Sequence, residues 1–229
     1  MDNPRDSFQN LLIIGGTASI SKDVIKLALE RQFKITATFR DKSKCDDSNV
    51  NWVQLDLADQ GSVKSFNDYI KNKEFNLILY MIGELSLSES NKENYLSTNL
   101  ISTIYILENL RNSLNKEEKS ILIYMASRSA IYPSFDLYYS VVKAGLSAAI
   151  RSLSLGLLKN QKMLSIAPGL IVGSSMYESM PEYVRKSHHV RSDNNLLNLK
   201  NLASEVFKII DCQDNFENGS LIEVGPKYK

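Results

Sequence analysis

Leu11-Leu12-Ile13-Ile14-Gly15-Gly16-Thr17-Ala18-Ser19-Ile20-Ser21 is a short apolar run that breaks into a turn of small residues. Beyond the turn, Ile20, Val24, Leu27 and Ala28 recur at three- and four-residue intervals, the stripe of a helix that packs on a sheet face. The stretch therefore predicts a strand, a tight turn and a helix. After this first strand at 10–14, similar β-branched apolar runs recur at 34–39, 52–55, 76–82, 120–126, 163–167 and 220–224. Segments of helical periodicity separate them, the longest at 92–115 and 137–158. Strands that alternate with crossover helices pair in parallel, so the expected fold is α/β, a doubly wound sheet of seven parallel strands between two helix layers.

Composition narrows the function classes. With 27 Lys+Arg against 26 Asp+Glu the net charge is +1, which lacks the broad basic surface that nucleic-acid binding needs. No apolar run approaches the roughly 18 residues of a membrane span, so neither nucleic acid nor membrane is an expected partner. The two cysteines, Cys45 and Cys212, make no disulfide framework, and with His188 and His189 they form no metal-binding spacing. The polar start of the chain lacks the pattern of a secretion signal, and a reducing cytoplasm is the expected compartment. Repeats, Pro-rich linkers and low-complexity tracts are missing from the 229 residues, which read as one domain.

The glycine turn has the layout of a phosphate cradle. Glycine lets the backbone approach an anion closely, and the N–H groups and dipole at a helix start attract it. The same turn joins strand to helix in α/β proteins that hold no nucleotide. After the second strand, Arg40 stands where a site selective for an unphosphorylated ribose would carry Asp or Glu; with Lys42 and Lys44 it suits a 2′-phosphate, or forms a solvated basic loop. Asp56 is placed either to accept from an adenine amino group or to cap the next helix.

A second constellation lies further on. Tyr139 and Lys143 are four residues apart in a helical segment, so both side chains leave one face about a turn apart. An ammonium there favours tyrosinate and tunes the phenol as a proton donor. Ser127 directly follows the fifth strand, at the edge where such sheets bind ligands, and Asn99 precedes that strand in the long helix.

In this order the elements resemble the short-chain dehydrogenase/reductase family over nearly the whole chain. Its matching pieces are Gly15, Asp56, Gly83, Asn99, Ser127, Tyr139 with Lys143, Pro168-Gly169 and Gly219. The resemblance implies a Rossmann-type sheet, a nicotinamide cofactor and hydride transfer between it and a carbonyl or alcohol. Tyr139 would act as the acid, Lys143 would lower its pKa, Ser127 would position the substrate oxygen and Asn99 would hold a relay water. Gly15, Thr17, Ser19, Ile20, Arg40, Asp56, Leu57, Gly83, Tyr139, Lys143, Pro168 and Gly169 would contact the cofactor, NADP(H) in preference with NAD(H) as the alternative. Helices 92–115 and 137–158 resemble the pair through which the family forms homodimers or homotetramers.

The chain also departs from the family pattern. Ser19 and Ser21 occupy the second and third glycine places, Tyr80-Met81-Ile82-Gly83 replaces Asn-Asn-Ala-Gly, and Gly225-Pro226 stands in the terminal motif. Ser129 is a second candidate for the catalytic serine. These departures keep open a binding or regulatory protein on the same scaffold, and an epimerase or dehydratase that recycles its nicotinamide is a further alternative. The family's substrate lid falls near 174–195, where Arg185 to Arg191 is rich in cations; Arg128 adds another beside Ser127. Arg128, Arg185 and Arg191 suggest a small anionic substrate, such as a phosphorylated or nucleotide-linked sugar or a carrier-bound acyl group, or else a solvated basic face.

Overall fold

In the computed structural model, which describes residues 10–226, the predicted rhythm becomes a parallel sheet with helices on both faces. The polar start read above, at 1–9, lies outside the described residues, as do 227–229. The strands are β1 (Asn10–Ile14), β2 (Lys34–Phe39), β3 (Val50–Gln54), β4 (Leu77–Tyr80), β5 (Ser120–Met125), β6 (Gln161–Pro168), β7 (Ile171–Val172), β8 (Leu197–Asn198) and β9 (Leu221–Val224). The helices are α1 (Lys22–Glu30), α2 (Gln60–Ile70), α3 (Lys92–Leu96), α4 (Ser102–Asn112), α5 (Leu137–Leu153), α6 (Ser175–Ser179), α7 (Glu182–Arg191) and α8 (Leu199–Asp211).

Seven strands form one sheet in the order β3-β2-β1-β4-β5-β6-β9, every pair parallel. Because both faces of the sheet are covered, the central strands are continuously apolar rather than alternating. Alternate residues go to opposite layers. Leu11, Ile13, Leu79 and Ile123 share a core with Val24 and Ala28 of α1 and Phe207 of α8. Leu12, Ile14, Ile78 and Leu122 pack with Phe66 of α2, Ile106 of α4 and Leu146 of α5. Each fully buried side chain of this kind contributes about 1.5–3 kcal/mol.

Strand order reverses between β1 and β4, and ligands of doubly wound sheets bind at the carboxyl ends of the strands beside such a reversal. Gly15 follows β1, Arg40 follows β2, Leu55 to Leu57 follow β3, Gly83 lies past β4 and Ser127 past β5. The second, smaller sheet pairs Ile171 with Leu197 and Val172 with Asn198. It ties together the two ends of the excursion that carries α6 and α7. No described helix is long and apolar enough to cross a membrane.

The long helical segments are shorter than their periodicity predicts. The segment 92–115 is α3, a π-helical turn at Ser97–Ile101, and α4. The segment 137–158 ends at Leu153, three residues before Gly156 takes a left-handed φ of 73°.

Candidate functional site

The turn after β1 is built around backbone geometry. Gly15 has φ 89°, and a β-carbon there would stand 2.7 Å from Ile82 Cγ1. Its N–H donates to Thr38 Oγ1 and that of Gly16 to the Thr38 carbonyl, both at 2.8 Å. These bonds fix the turn on β2 and leave Ala18, Ser19 and Ile20, at the start of the 3-10 turn leading into α1, to line the cavity in front. Ser21 is fully buried and donates to the Gly15 carbonyl at 2.7 Å, so its extra atoms close the turn from behind. Ser19 reaches the other way. Its hydroxyl accepts the Ser175 N–H at 3.1 Å, joining the turn to α6.

Further along the edge, Arg40 is exposed, and the adjacent acid, Asp41, turns its carboxylate onto Ser43. Hydrogen bonds from Ser43 are the main reason that the Asp41 carboxyl is held below the usual range. Asp56 accepts the Ala58 N–H at 3.0 Å, while the cap of α2 is Asp59. Leu57 is buried and Thr17 half-buried. Gly15, Thr17, Arg40, Asp56 and Leu57 are not among the residues that line the large cavity, which Ser19, Ile20, Gly83, Ser127, Tyr139, Lys143, Pro168 and Gly169 all line.

Ser127, Tyr139 and Lys143 converge at that cavity. Ser127 lies beside Tyr139, near enough for its hydroxyl to act on the phenol, and accepts the Ser129 N–H at 3.1 Å. Of the two serine candidates, Ser127 is thus the one that acts on the Tyr139 phenol. Burial pushes the Tyr139 phenol up to about 12, against which the Ser127 hydroxyl acts. Lys143 is buried; its Nζ lies 5.7 Å from the Tyr139 ring centre and donates to the carbonyls of Met125 at 2.8 Å and Ile82 at 3.4 Å. Burial lowers it to about 7. Gly83 makes room for this ammonium, since a β-carbon there would sit 2.9 Å from Lys143 Nζ.

Behind the pair lies a cavity of about 10 Å³ lined by Asn99, Tyr95, Tyr139 and Lys143. That volume is about the least that holds one water molecule. Asn99 occupies the π-helical turn and donates to the Tyr95 carbonyl at 3.1 Å. Such single-turn bulges inside α-helices recur at functional sites.

Asp136 is a site residue that the sequence reading missed. It is 2% exposed, caps α5 by accepting the Tyr139 N–H at 3.0 Å, and accepts the N–H and hydroxyl of Ser86 at 2.7 and 2.5 Å. An acid three residues before Tyr139 at a helix start is an N-cap signal that was legible.

The front cavity is about 290 Å³. The three predicted substrate cations do not come together in it. Arg128 is buried, donates to the carbonyls of Pro226 and Gly225, and pairs with Glu223 at 3.3 Å, tying the Ser127 loop to the end of β9. Arg185 does not line the cavity and pairs with Glu178 at 3.5 Å. Arg191 lines the cavity from an exposed position at the end of α7.

The residues present fit a nicotinamide dinucleotide: a glycine turn leading into a helix start, an open Gly83, and hydroxyl and ammonium groups converging past β5. Solved structures share the fold. A short chain dehydrogenase family protein from Francisella tularensis superposes with a TM-score of 0.78 at 21% identity, over 95% of this chain and 97% of that one. Pseudomonas aeruginosa RhlG, solved as an NADP active-site complex, gives 0.79 at 18% identity over 97% and 98%. The ligand-free aldohexose dehydrogenase of Thermoplasma acidophilum gives 0.78 at 13% over 96% and 94%. No characterised protein sequence matches the chain. The sequence model described as the NAD dependent epimerase/dehydratase family matches residues 11–140. With more than half of its length matched and the sheet and reversal point in place, the chain belongs to the NAD dependent epimerase/dehydratase family, of short-chain dehydrogenase/reductase type.

Proposed function

We propose that the protein is an NADP(H)-dependent oxidoreductase that interconverts a carbonyl and an alcohol. The observation that carries this reading is the convergence of Ser127, Tyr139 and buried Lys143 on one cavity at the carboxyl edge of β5. A bound nicotinamide supplies the hydride and is left oxidised.

The chain's own groups handle the oxygen and the proton. With its pKa far above neutrality, Tyr139 is protonated and donates to the substrate oxygen, which the Ser127 hydroxyl orients. The phenolate that results is stabilised by the Lys143 ammonium. A lysine lowered to about 7 exchanges protons near neutral pH, and the small cavity between it and Asn99 gives the replacement proton a path. Gly15, Thr17, Ser19, Ile20, Asp56, Leu57, Gly83, Pro168 and Gly169 hold the cofactor, and Arg40 faces the 2′-phosphate. The reaction thus occurs within one domain, with 174–195 as the lid.

The test is a titration with NADPH and NADH followed by a panel of carbonyl compounds. Saturable NADPH binding with NADPH consumption on one class of carbonyl supports the reading; binding of neither cofactor contradicts it. The family match at 11–140 favours one second reading, an epimerase or dehydratase that regenerates its nicotinamide. That reaction converts substrate with no net loss of NADPH.

Oligomerisation fits the same reading. Ile101 and Tyr105 are 60% and 51% exposed, one turn apart, and Leu137 and Val141 are 69% and 46% exposed on α5. Two such apolar stripes are covered if α4 and α5 pack against the same pair in a second copy.

A further inference from the structure

We propose that the substrate is an uncharged ketone or secondary alcohol with an apolar body, rather than a small anion. This rests on the reading that Tyr139 and Ser127 hold the reacting oxygen, and it concerns what fills the remaining space.

The walls facing Tyr139 form a hydrophobic cluster of their own, separate from the two cores that flank the sheet. Leu85, Leu170, Met180 and Val184 are buried together with the Tyr139 ring, and Phe135 and Met176 pack on them. All six side chains line the cavity of about 290 Å³. They come from distant elements: the loop after β4, the approach to α5, the end of β6, and the α6–α7 excursion whose ends β7 and β8 hold together. Methionines add adaptability, because an unbranched thioether fits ligands of different outline.

Of the positive groups on these walls, the buried ones are held by partners within the protein and the exposed one stands at the rim. Lys143 donates to main-chain carbonyls, and Arg128 is tied to Glu223 and the end of β9. Burial holds the His188 imidazole below its ordinary value, so it is neutral at pH 7. Arg191 stands at the solvent edge with the exposed Tyr183 and Ser187 on the same helix. A phosphate carried inward past the rim would lose its hydration against the carbon of Leu85, Leu170, Met180 and Val184. A neutral carbonyl asks only for the Ser127 and Tyr139 hydroxyls.

The experiment compares 2-alkanones of increasing chain length and acetophenone with dihydroxyacetone phosphate and fructose 6-phosphate. NADPH consumption reports turnover, and the melting temperature of the cofactor-free protein with the matching alcohols reports binding. The expected result is a kcat/KM that rises about fourfold per added methylene until the cavity is full, with the phosphates at least a hundredfold poorer. Val184→Asp should raise KM for the longer ketones about tenfold or more while the NADPH Kd stays unchanged; Met180→Leu, which keeps the wall apolar, should change KM less than threefold. Turnover of the phosphates in preference to the alkanones overturns this inference and leaves the oxidoreductase reading standing. Stabilisation by apolar alcohols without turnover of any ketone overturns that reading and leaves standing only the preference of the cavity for uncharged apolar ligands. Stabilisation by neither class overturns the inference.

Discussion

The carboxylate of Asp136 accepts both the N–H and the hydroxyl of Ser86, at 2.7 and 2.5 Å, fifty residues away in the chain. Since Asp136 also receives the Tyr139 N–H, one buried side chain joins the loop after β4 to the first turn of the helix that carries Tyr139 and Lys143. Asp136→Ala removes the cap and strands two buried donors, an expected loss of about 2–4 kcal/mol. Asp136→Asn keeps an acceptor for Tyr139 but turns a donor toward one Ser86 group, and should lose about half as much. Denaturant unfolding of the two variants checks this; equal, near-wild-type stability would contradict it.

Burial of Lys143 gives stability a pH signature. In the unfolded chain the amine titrates at its ordinary 10.5, in the folded protein at about 7, so between these values the unfolded state binds more protons. Stability therefore rises with pH across that window. Tyr139, raised from 10.0 to about 12, acts oppositely: above pH 10 the unfolded state loses its phenolic proton first and stability falls. Lys143→Met should raise the melting temperature at pH 7 and flatten its climb from pH 7 to 10. A variant that keeps the wild-type slope would remove Lys143 as its source.

Arg40 is exposed and the carboxylate of its neighbour Asp41 is turned onto Ser43, so the end of β2 presents the Arg40 cation to solvent. Arg40→Ser should raise the NADPH Kd about tenfold or more, the loss of one charge-assisted contact, while NADH binding changes little. Fluorescence titration with both cofactors decides. A parallel loss for both would show that Arg40 does not read the 2′-phosphate.

For the α4–α5 surface, light scattering should give wild-type protein the mass of two or four chains. The double variant Tyr105→Glu, Val141→Glu should give a smaller assembly, because it buries like charges across a two-fold contact. A wild-type mass of one chain would sink the interface.

Much of the fold was legible because doubly buried parallel strands have to be apolar throughout, and each such run fell on an observed strand of the large sheet, with ends shifted by up to two residues. Asp136 carried a legible cap signal, but its partner Ser86 lies fifty positions away and gives no local sign. The short β7–β8 pair was missed because two-residue strands show no periodicity. The cationic reading of the substrate region met a related limit. A sequence displays the charges of Arg128 and Arg185 but not Glu223 and Glu178, the carboxylates that neutralise them in space. The π-helical turn that carries Asn99 is likewise invisible to a pattern of apolar spacing.

The role of Tyr139 is tested most directly by Tyr139→Phe, which keeps the buried ring and removes only the proton donor. With a ketone the wild type reduces, the variant should bind NADPH with unchanged Kd and lose about a hundred- to ten-thousandfold in kcat. A variant that keeps more than about a tenth of the wild-type rate, with NADPH still bound, would contradict the account.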